Sequence, residues 1–166
     1  MRTILYFAYG SNMSTPRLRA RVPSARPLAV AQLPAHRLMF HKKGSDDSAK
    51  CDAAWTNDQG DAVCGTVFEI AASEKPELDR HEGLRNGYED KPVSVFTADG
   101  WTLDAYAYYA THIDAALKPY EWYKEHVVRG ALEHGLPMAY SRIISAVEAI
   151  PDPDLSRHRR ELSIYR

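Results

Sequence analysis

The sequence lacks any apolar run near the roughly 20 residues that a membrane-spanning helix needs. Its first residues also lack the basic segment, apolar stretch and small-residue cleavage site of a secretory signal. We therefore expect a cytoplasmic protein that has no membrane partner.

An excess of one charge is missing as well, because 21 basic residues stand against 22 acidic ones. Without a basic stripe, a chain has little electrostatic attraction for nucleic acid. The short basic run Arg157-His158-Arg159-Arg160 is typical of a solvated surface patch. No nucleic-acid partner is expected.

Cysteine and metal-ligand patterns are also scarce. Cys51 and Cys64 form no Cys-x-x-Cys pair, and the seven histidines show no His-x-x-x-His spacing. The sequence predicts two reduced structural thiols and no metal site. It also lacks the glycine-rich patterns that bind nucleotide phosphates.

The pattern of apolar residues predicts an α+β protein. Its 166 residues suit a single domain, which we place at residues 1–150, followed by a C-terminal tail at 151–166. An opening strand ends at Gly10, and further strands are predicted at 28–33, 37–41, 51–56, 62–70, 91–97 and 101–110. Helices are predicted at 14–21, at 73–82 with Ser73 as the N-cap, at 120–134, and through the apolar stripe from Tyr140 to Ile150.

At least six strands with short links favour a small mixed β-barrel with peripheral helices, because closure removes exposed strand edges. A flat open sheet with helices on one face is the alternative. In the strand 101–110, one face is expected to pack on the core; alternation divides the strand into Trp101, Leu103, Ala105, Ala107 and Tyr109 on one face and Thr102, Asp104, Tyr106 and Tyr108 on the other. The polar segment 42–50 is predicted to be a mobile loop at the rim of a pocket.

The most informative local feature is the end of the opening strand, Leu5-Tyr-Phe-Ala-Tyr-Gly-Ser-Asn-Met13. Gly10 lets the backbone approach a ligand closely, because it lacks a Cβ atom. The N–H groups of Ser11, Asn12 and Met13 then have the opportunity to bind a carboxylate or phosphate near the start of the next helix.

A second feature is Glu82, which precedes Gly83 in the last turn of a predicted helix. The helix C-terminus and any burial both favour the protonated form of a carboxyl group. This behaviour suits a general base that accepts a proton and later returns it. The alternative is a solvated carboxylate whose charge is compensated by Arg80 or by another nearby cation.

The pair Tyr6-Phe-Ala-Tyr-Gly-Ser-Asn-Met13 and Leu78-Asp-Arg-His-Glu-Gly83 closely resembles the γ-glutamylcyclotransferase family, which shares the AIG2-like fold. Further similarities are Gly65-Thr-Val-Phe68, Gly87-Tyr88, and the segment from Tyr123 to Gly135-Leu-Pro137. The resemblance runs from Tyr6 to about Ile150.

The resemblance implies a small barrel whose cavity binds a γ-glutamyl group, without a cofactor. It implies that Glu82 is the catalytic acid and base. The implied binding residues are Tyr9, Gly10, Ser11, Asn12, Met13, Tyr88 and Tyr123. The expected partner is a small γ-glutamyl molecule, whose α-amine attacks its own side-chain carbonyl to give 5-oxoproline. The leaving amine and the oligomeric state stay open.

Two other functions compete with this one. The same fold could serve as a non-catalytic module that binds a small carboxylate or a partner. A serine hydrolase based on Ser11 is less favoured, because no Gly-x-Ser-x-Gly motif surrounds this serine.

Overall fold

The protein is built around a closed barrel of five strands in a computed structural model that describes residues 1–166. The order around the barrel is β1, β5, β2, β6 and β7. Their bounds are β1 (Thr3–Ala8), β2 (Arg26–Pro34), β5 (Ala62–Ala71), β6 (Tyr88–Phe96) and β7 (Thr102–Ala110). Between β2 and β5, the strands β3 (His36–Lys43) and β4 (Ala49–Trp55) pair as a separate hairpin.

The barrel is mixed, because β1 runs parallel to β7 while its other neighbouring strands are antiparallel. The parallel contact joins Tyr6 to Tyr106 and closes the sheet. The structure thus confirms the α+β barrel and excludes the flat open sheet.

Five α-helices lie around the barrel. They are α1 (Thr15–Arg21), α2 (Lys75–Glu82), α3 (Glu121–Glu133), α4 (Met138–Ser145) and α5 (Leu155–Leu162). None of them combines the length and the apolar character needed to cross a lipid bilayer.

Helix α3 approaches the end of β1 unusually closely at Gly130. A Cβ atom at this glycine would lie 2.5 Å from Met13 Cβ and 2.7 Å from the backbone nitrogen of Ser14. Met13 is fully buried in this contact. The absence of a side chain at Gly130 therefore sets how closely α3 supports the segment after β1.

Several local predictions differ from the structure. Ser73 does not cap α2, because a 3-10 turn at Ala72–Glu74 comes first and the helix starts at Lys75, with Pro76 in its first turn. Helix α4 ends at Ser145, so the predicted stripe is shorter, and Ile150 instead forms a β-bridge with Tyr120.

The structure refines one prediction about the strands. In the segment 42–50, residues 44–48 form the turn of the hairpin, whereas residues 42–43 end β3 and residues 49–50 begin β4, with Lys42 opposite Lys50. On β7, Tyr108 is buried like Ala105 and Ala107, although it points to the opposite face. That face is covered because Tyr6 and Tyr106 stack there, with ring centroids 5.3 Å apart.

The residues 151–166, set apart as a tail by the sequence, fold back onto the body of the protein. Asp152 accepts hydrogen bonds from Trp122 Nε1 at 2.7 Å and from Arg157 Nε at 2.6 Å. Asp154 caps α5 by accepting from the backbone N–H of Arg157 at 2.9 Å. The basic run is therefore partly committed to an internal ion pair.

Replacing Gly130 with alanine is expected to destabilise the protein. An ordinary glycine-to-alanine change inside a helix gains about 1 kcal/mol, but here the added Cβ meets the backbone after Met13 and forces α3 away. Overpacking of this kind costs about 1–3 kcal/mol. Urea unfolding would measure the change, with the exposed Leu132→Ala as the control on the same helix. A Gly130→Ala protein at least as stable as the parent would contradict this account.

Candidate active site

One end of the barrel opens into two connected cavities. Counted with the open space at their mouths, the inner cavity has a volume of about 290 Å³ and the outer one about 820 Å³. Both are bordered by Ser11, Glu82, Tyr88 and Tyr123. The remaining residues of the inner cavity are Tyr6, Tyr9, Gly10, Asn12, Cys51 and Tyr108.

The loop after β1 forms one wall of the inner cavity. A Cβ atom at Gly10 would lie 3.0 Å from Cys51 Cβ and 3.3 Å from Tyr123 Oη, so glycine permits this close approach. The next residues form a 3-10 turn, Ser11–Met13, which starts with the N–H groups of Gly10, Ser11 and Asn12 unused by protein acceptors.

Met13 differs from the other predicted binding residues. Its N–H donates to the carbonyl of Gly10 at 3.1 Å, and its side chain is fully buried outside the cavity. The structure places Met13 in the core, beneath the loop, where it packs against α3.

Glu82 forms the opposite wall. Helix α2 ends at this residue because Gly83 adopts the left-handed conformation, with φ of 70°. The Glu82 side chain is 15% exposed, and its Oε1 accepts hydrogen bonds from Asn12 Nδ2 and, at 3.2 Å, from Arg21 Nη1. The loop and the carboxylate are thus joined directly.

The tyrosine hydroxyls are largely engaged with the backbone. Tyr9 Oη donates to the carbonyl of Tyr108 at 2.5 Å, and Tyr88 Oη donates to the carbonyl of Cys51. Tyr123 Oη accepts from the N–H of Cys51 at 2.9 Å and also contacts the thiol of the same residue. Of the three predicted tyrosines, Tyr123 is the one whose hydroxyl donates to no main-chain carbonyl.

Burial determines the protonation of the cavity wall. It raises the pKa of Tyr6, Tyr88 and Tyr123 well above the usual value, and it raises the pKa of the Cys51 thiol to about 12. These groups are protonated at neutral pH and cannot act as bases. Glu82 is the one carboxylate that borders the inner cavity.

Sequence reasoning missed four residues at this site: Tyr6, Cys51, Tyr108 and Arg21. Tyr6 was part of the quoted motif, and its Oη accepts from Asn12 at 3.1 Å. Cys51 and Tyr108 reach the cavity from β4 and β7, and Arg21 from the end of α1. Only the packing of the barrel against the hairpin and helices brings them together, so no local pattern marks them.

The hydroxyl of Ser11 has no histidine partner. Its Oγ accepts from Arg17 Nε at 3.2 Å. A serine nucleophile requires an adjacent base, so the geometry does not support a hydrolase based on Ser11. No group of three or more histidine, cysteine, aspartate or glutamate side chains is arranged to hold a metal ion.

A second layer of polar contacts supports the loop from behind. Arg17 also donates to Glu161 Oε2 on α5 at 2.6 Å. Tyr165 Oη lies 2.8 Å from Ser14 Oγ and 2.6 Å from Nδ1 of the fully buried His126. The C-terminal segment is thus linked to the loop after β1 at two points. Glu161 reaches Ser11 through Arg17, and Tyr165 contacts Ser14 directly.

The candidate site is thus a tyrosine-lined cavity at one end of a small barrel, with a single carboxylate on its inner wall. The AIG2-like family model matches residues 62–143 of the chain. Gamma-glutamylcyclotransferase from Homo sapiens is 34% identical, over 88% of this chain and 79% of its own length. The Mus musculus protein of the same name is 35% identical with the same coverage.

The solved structure of a gamma-glutamyl cyclotransferase superimposes with a TM-score of 0.80 at 31% identity, and the match covers 90% of each chain. The chain belongs to the γ-glutamylcyclotransferase family, and it is an enzyme.

Acid is expected to loosen the packing behind the loop. Burial lowers the pKa of His126 to about 4, from its ordinary value of 6.5. Between these values the unfolded chain binds a proton that the folded protein does not, so stability is retained above pH 6.5 and falls as the pH drops towards 4. One such proton contributes at most about 1.4 kcal/mol per pH unit.

Thermal unfolding between pH 7 and pH 4 tests this expectation. His126→Gln should flatten the acid slope, whereas His112→Gln, at an exposed histidine, should leave it unchanged. Equal slopes for the parent and His126→Gln would show that another group controls the loss.

Proposed function

We propose that this enzyme releases 5-oxoproline from a γ-glutamyl amide, with Glu82 as general base and then general acid. The observation that carries the proposal is the direct contact between Glu82 and Asn12 of the binding loop, in a cavity without another carboxylate. A γ-glutamyl group bound by that loop has its α-amine within reach of the acid.

The chemistry uses only the substrate and this side chain. The α-amine is mostly protonated at neutral pH, and Glu82 removes a proton from it. The neutral amine nitrogen then attacks the side-chain carbonyl carbon, forming the C–N bond of a five-membered ring. Glu82 gives the first proton to the departing nitrogen as the original amide C–N bond breaks. Glu82 then takes the surplus proton from the ring nitrogen and passes it to the released amine, so it ends in its initial state.

Intramolecular attack supplies much of the acceleration. Well-aligned intramolecular reactions gain up to about 7–11 kcal/mol over their bimolecular counterparts. The role of the cavity is to hold the flexible γ-glutamyl chain in the folded form that brings amine and carbonyl together. The buried tyrosines around it leave limited room for an extended chain.

The loop donors bind the charged end of the substrate. We assign the free N–H groups of Gly10, Ser11 and Asn12 to the α-carboxylate, because it is the permanent anion of the γ-glutamyl group. The Tyr123 hydroxyl is placed to donate a further hydrogen bond. This arrangement leaves the amide and its leaving portion facing the outer cavity.

The test is product formation by Glu82→Gln. This substitution retains the shape and the acceptor for Asn12 and Arg21 but cannot take up a proton, so kcat should fall by about 10²–10⁴-fold. 5-Oxoproline and the released amine are measured by mass spectrometry across a panel of γ-glutamyl compounds.

The matched control is Glu77→Gln, because Glu77 lies on the same helix but pairs with Arg80 on the surface. It should retain full activity. An unimpaired Glu82→Gln protein, or a parent enzyme that makes no 5-oxoproline from any compound, would refute the proposal. Thermal stabilisation by these compounds without turnover would favour the binding module instead.

A further inference from the structure

The outer cavity carries an excess of positive charge. Five basic side chains border it, Arg17, Arg21, Lys42, Lys50 and Arg80, and Glu82 is the one carboxylate on its wall. Four of these cations have acidic partners, since Arg17 pairs with Glu161, Lys50 with Asp46, Arg80 with Glu77 and Arg21 with Glu82. The uncompensated charge is therefore that of Lys42.

Lys42 is an ammonium group without an ionic partner. The residue is 7% exposed, and no carboxylate oxygen lies within 4.0 Å of its Nζ. The Nζ lies 4.6 Å from the centre of the Tyr88 ring, at the boundary of the two cavities. Burying a lysine ammonium group without a counter-ion costs free energy. An anionic ligand bound beside Lys42 would reduce that cost.

The surrounding backbone is arranged to accommodate this side chain. A Cβ atom at Gly87 would lie 3.0 Å from Lys42 Nζ, so this glycine provides the space for the ammonium group. The register of the hairpin also sets Lys42 directly opposite Lys50. Like charges in that position destabilise a sheet. Asp46 balances the charge of Lys50 but not that of Lys42, so a bound anion would relieve the repulsion that remains.

Arg21 supplies a second set of unused donors. Its Nη1 donates to Asn12 Oδ1 at 3.1 Å and to Glu82 at 3.2 Å. The Nε and Nη2 groups of the same guanidinium make no hydrogen bond within the protein, although its side chain is only 18% exposed. A guanidinium edge of this kind matches a carboxylate well.

We propose that the outer cavity selects γ-glutamyl compounds whose leaving portion is an acidic amino acid, with Lys42 and the free edge of Arg21 as the groups that bind its two carboxylates. This inference rests on the proposed function. It assigns the inner cavity to the γ-glutamyl group and the outer cavity to the part that leaves, and it makes Lys42 a specificity-determining residue.

The sharpest test compares γ-glutamyl-glutamate with γ-glutamyl-glutamine. These substrates have nearly the same shape and differ by one negative charge in the leaving portion. The parent enzyme should prefer the first by at least tenfold in kcat/KM, mainly through KM, because the contact lies away from the reacting bond. The preference should shrink as salt is added.

Lys42→Met removes the charge at similar side-chain length, and Lys43→Met is the matched control, at an exposed lysine beside it. Lys42→Met should lower kcat/KM for γ-glutamyl-glutamate by at least tenfold, and Lys43→Met by less than twofold. A thermal unfolding scan establishes that both variants are folded. The substrate comparison in the parent enzyme needs no variant.

The outcomes separate this inference from the function on which it rests. Release of 5-oxoproline from both substrates at rates within twofold, or indistinguishable Lys42→Met and Lys43→Met proteins, would overturn the charge selection and leave the cyclotransferase function in place. Absence of 5-oxoproline from every γ-glutamyl compound would overturn the function itself, and the inference with it.

Discussion

The hydrogen bond between Asn12 and Glu82 is the contact on which the site depends. It joins the turn after the first barrel strand to the last residue of α2, across 70 positions of sequence. Asn12 also reaches Tyr6 and Arg21 through its other hydrogen bonds, so a single amide organises three elements. Because the same carboxyl group is fixed at a helix end by Gly83, neither partner moves freely relative to the other.

The rest of the fold serves to hold that contact in place. The barrel fixes β1, and α3 supports the loop from below through the close approach at Gly130. Helix α5 adds a third support, since Glu161 holds Arg17, which in turn contacts Ser11. Preorganisation of this kind lets a site stabilise developing charge without rearranging during the reaction.

The sequence predicted the parts of the molecule that local patterns encode. The barrel strands, the helix end at Gly83 and the two motifs around Asn12 and Glu82 all follow from short-range periodicity or turn chemistry. Local signals located the start of a helix less well where a 3-10 turn runs directly into it. Ser73 resembles an N-cap, but a 3-10 turn takes up that segment before Pro76 enters the helix.

Tertiary contacts decided what the sequence could not show. The polar composition of 42–50 indicated a loop, and the turn does occupy 44–48, but strand pairing takes in the two residues at each end. Alternation separates the two faces of β7, but it cannot reveal that the face of Tyr108 is covered by Tyr6 and its neighbours. Residues 151–166 lack a long apolar stripe, because ion pairs and hydrogen bonds hold them against the body of the protein. Such contacts produce no regular spacing of apolar residues from which packing could be predicted.

The commitment of Tyr9 and Tyr88 to main-chain carbonyls has a consequence for how such a protein can diversify. Because these side chains are held by the main chain of the barrel and hairpin, the backbone sets the shape of the inner cavity. The hairpin that carries Lys42 contributes only Cys51 to the inner cavity, whereas Lys42 and Lys50 border the outer one. The walls of the two cavities are therefore built largely by different elements, so replacing the outward residues of the hairpin leaves most of the inner wall unchanged.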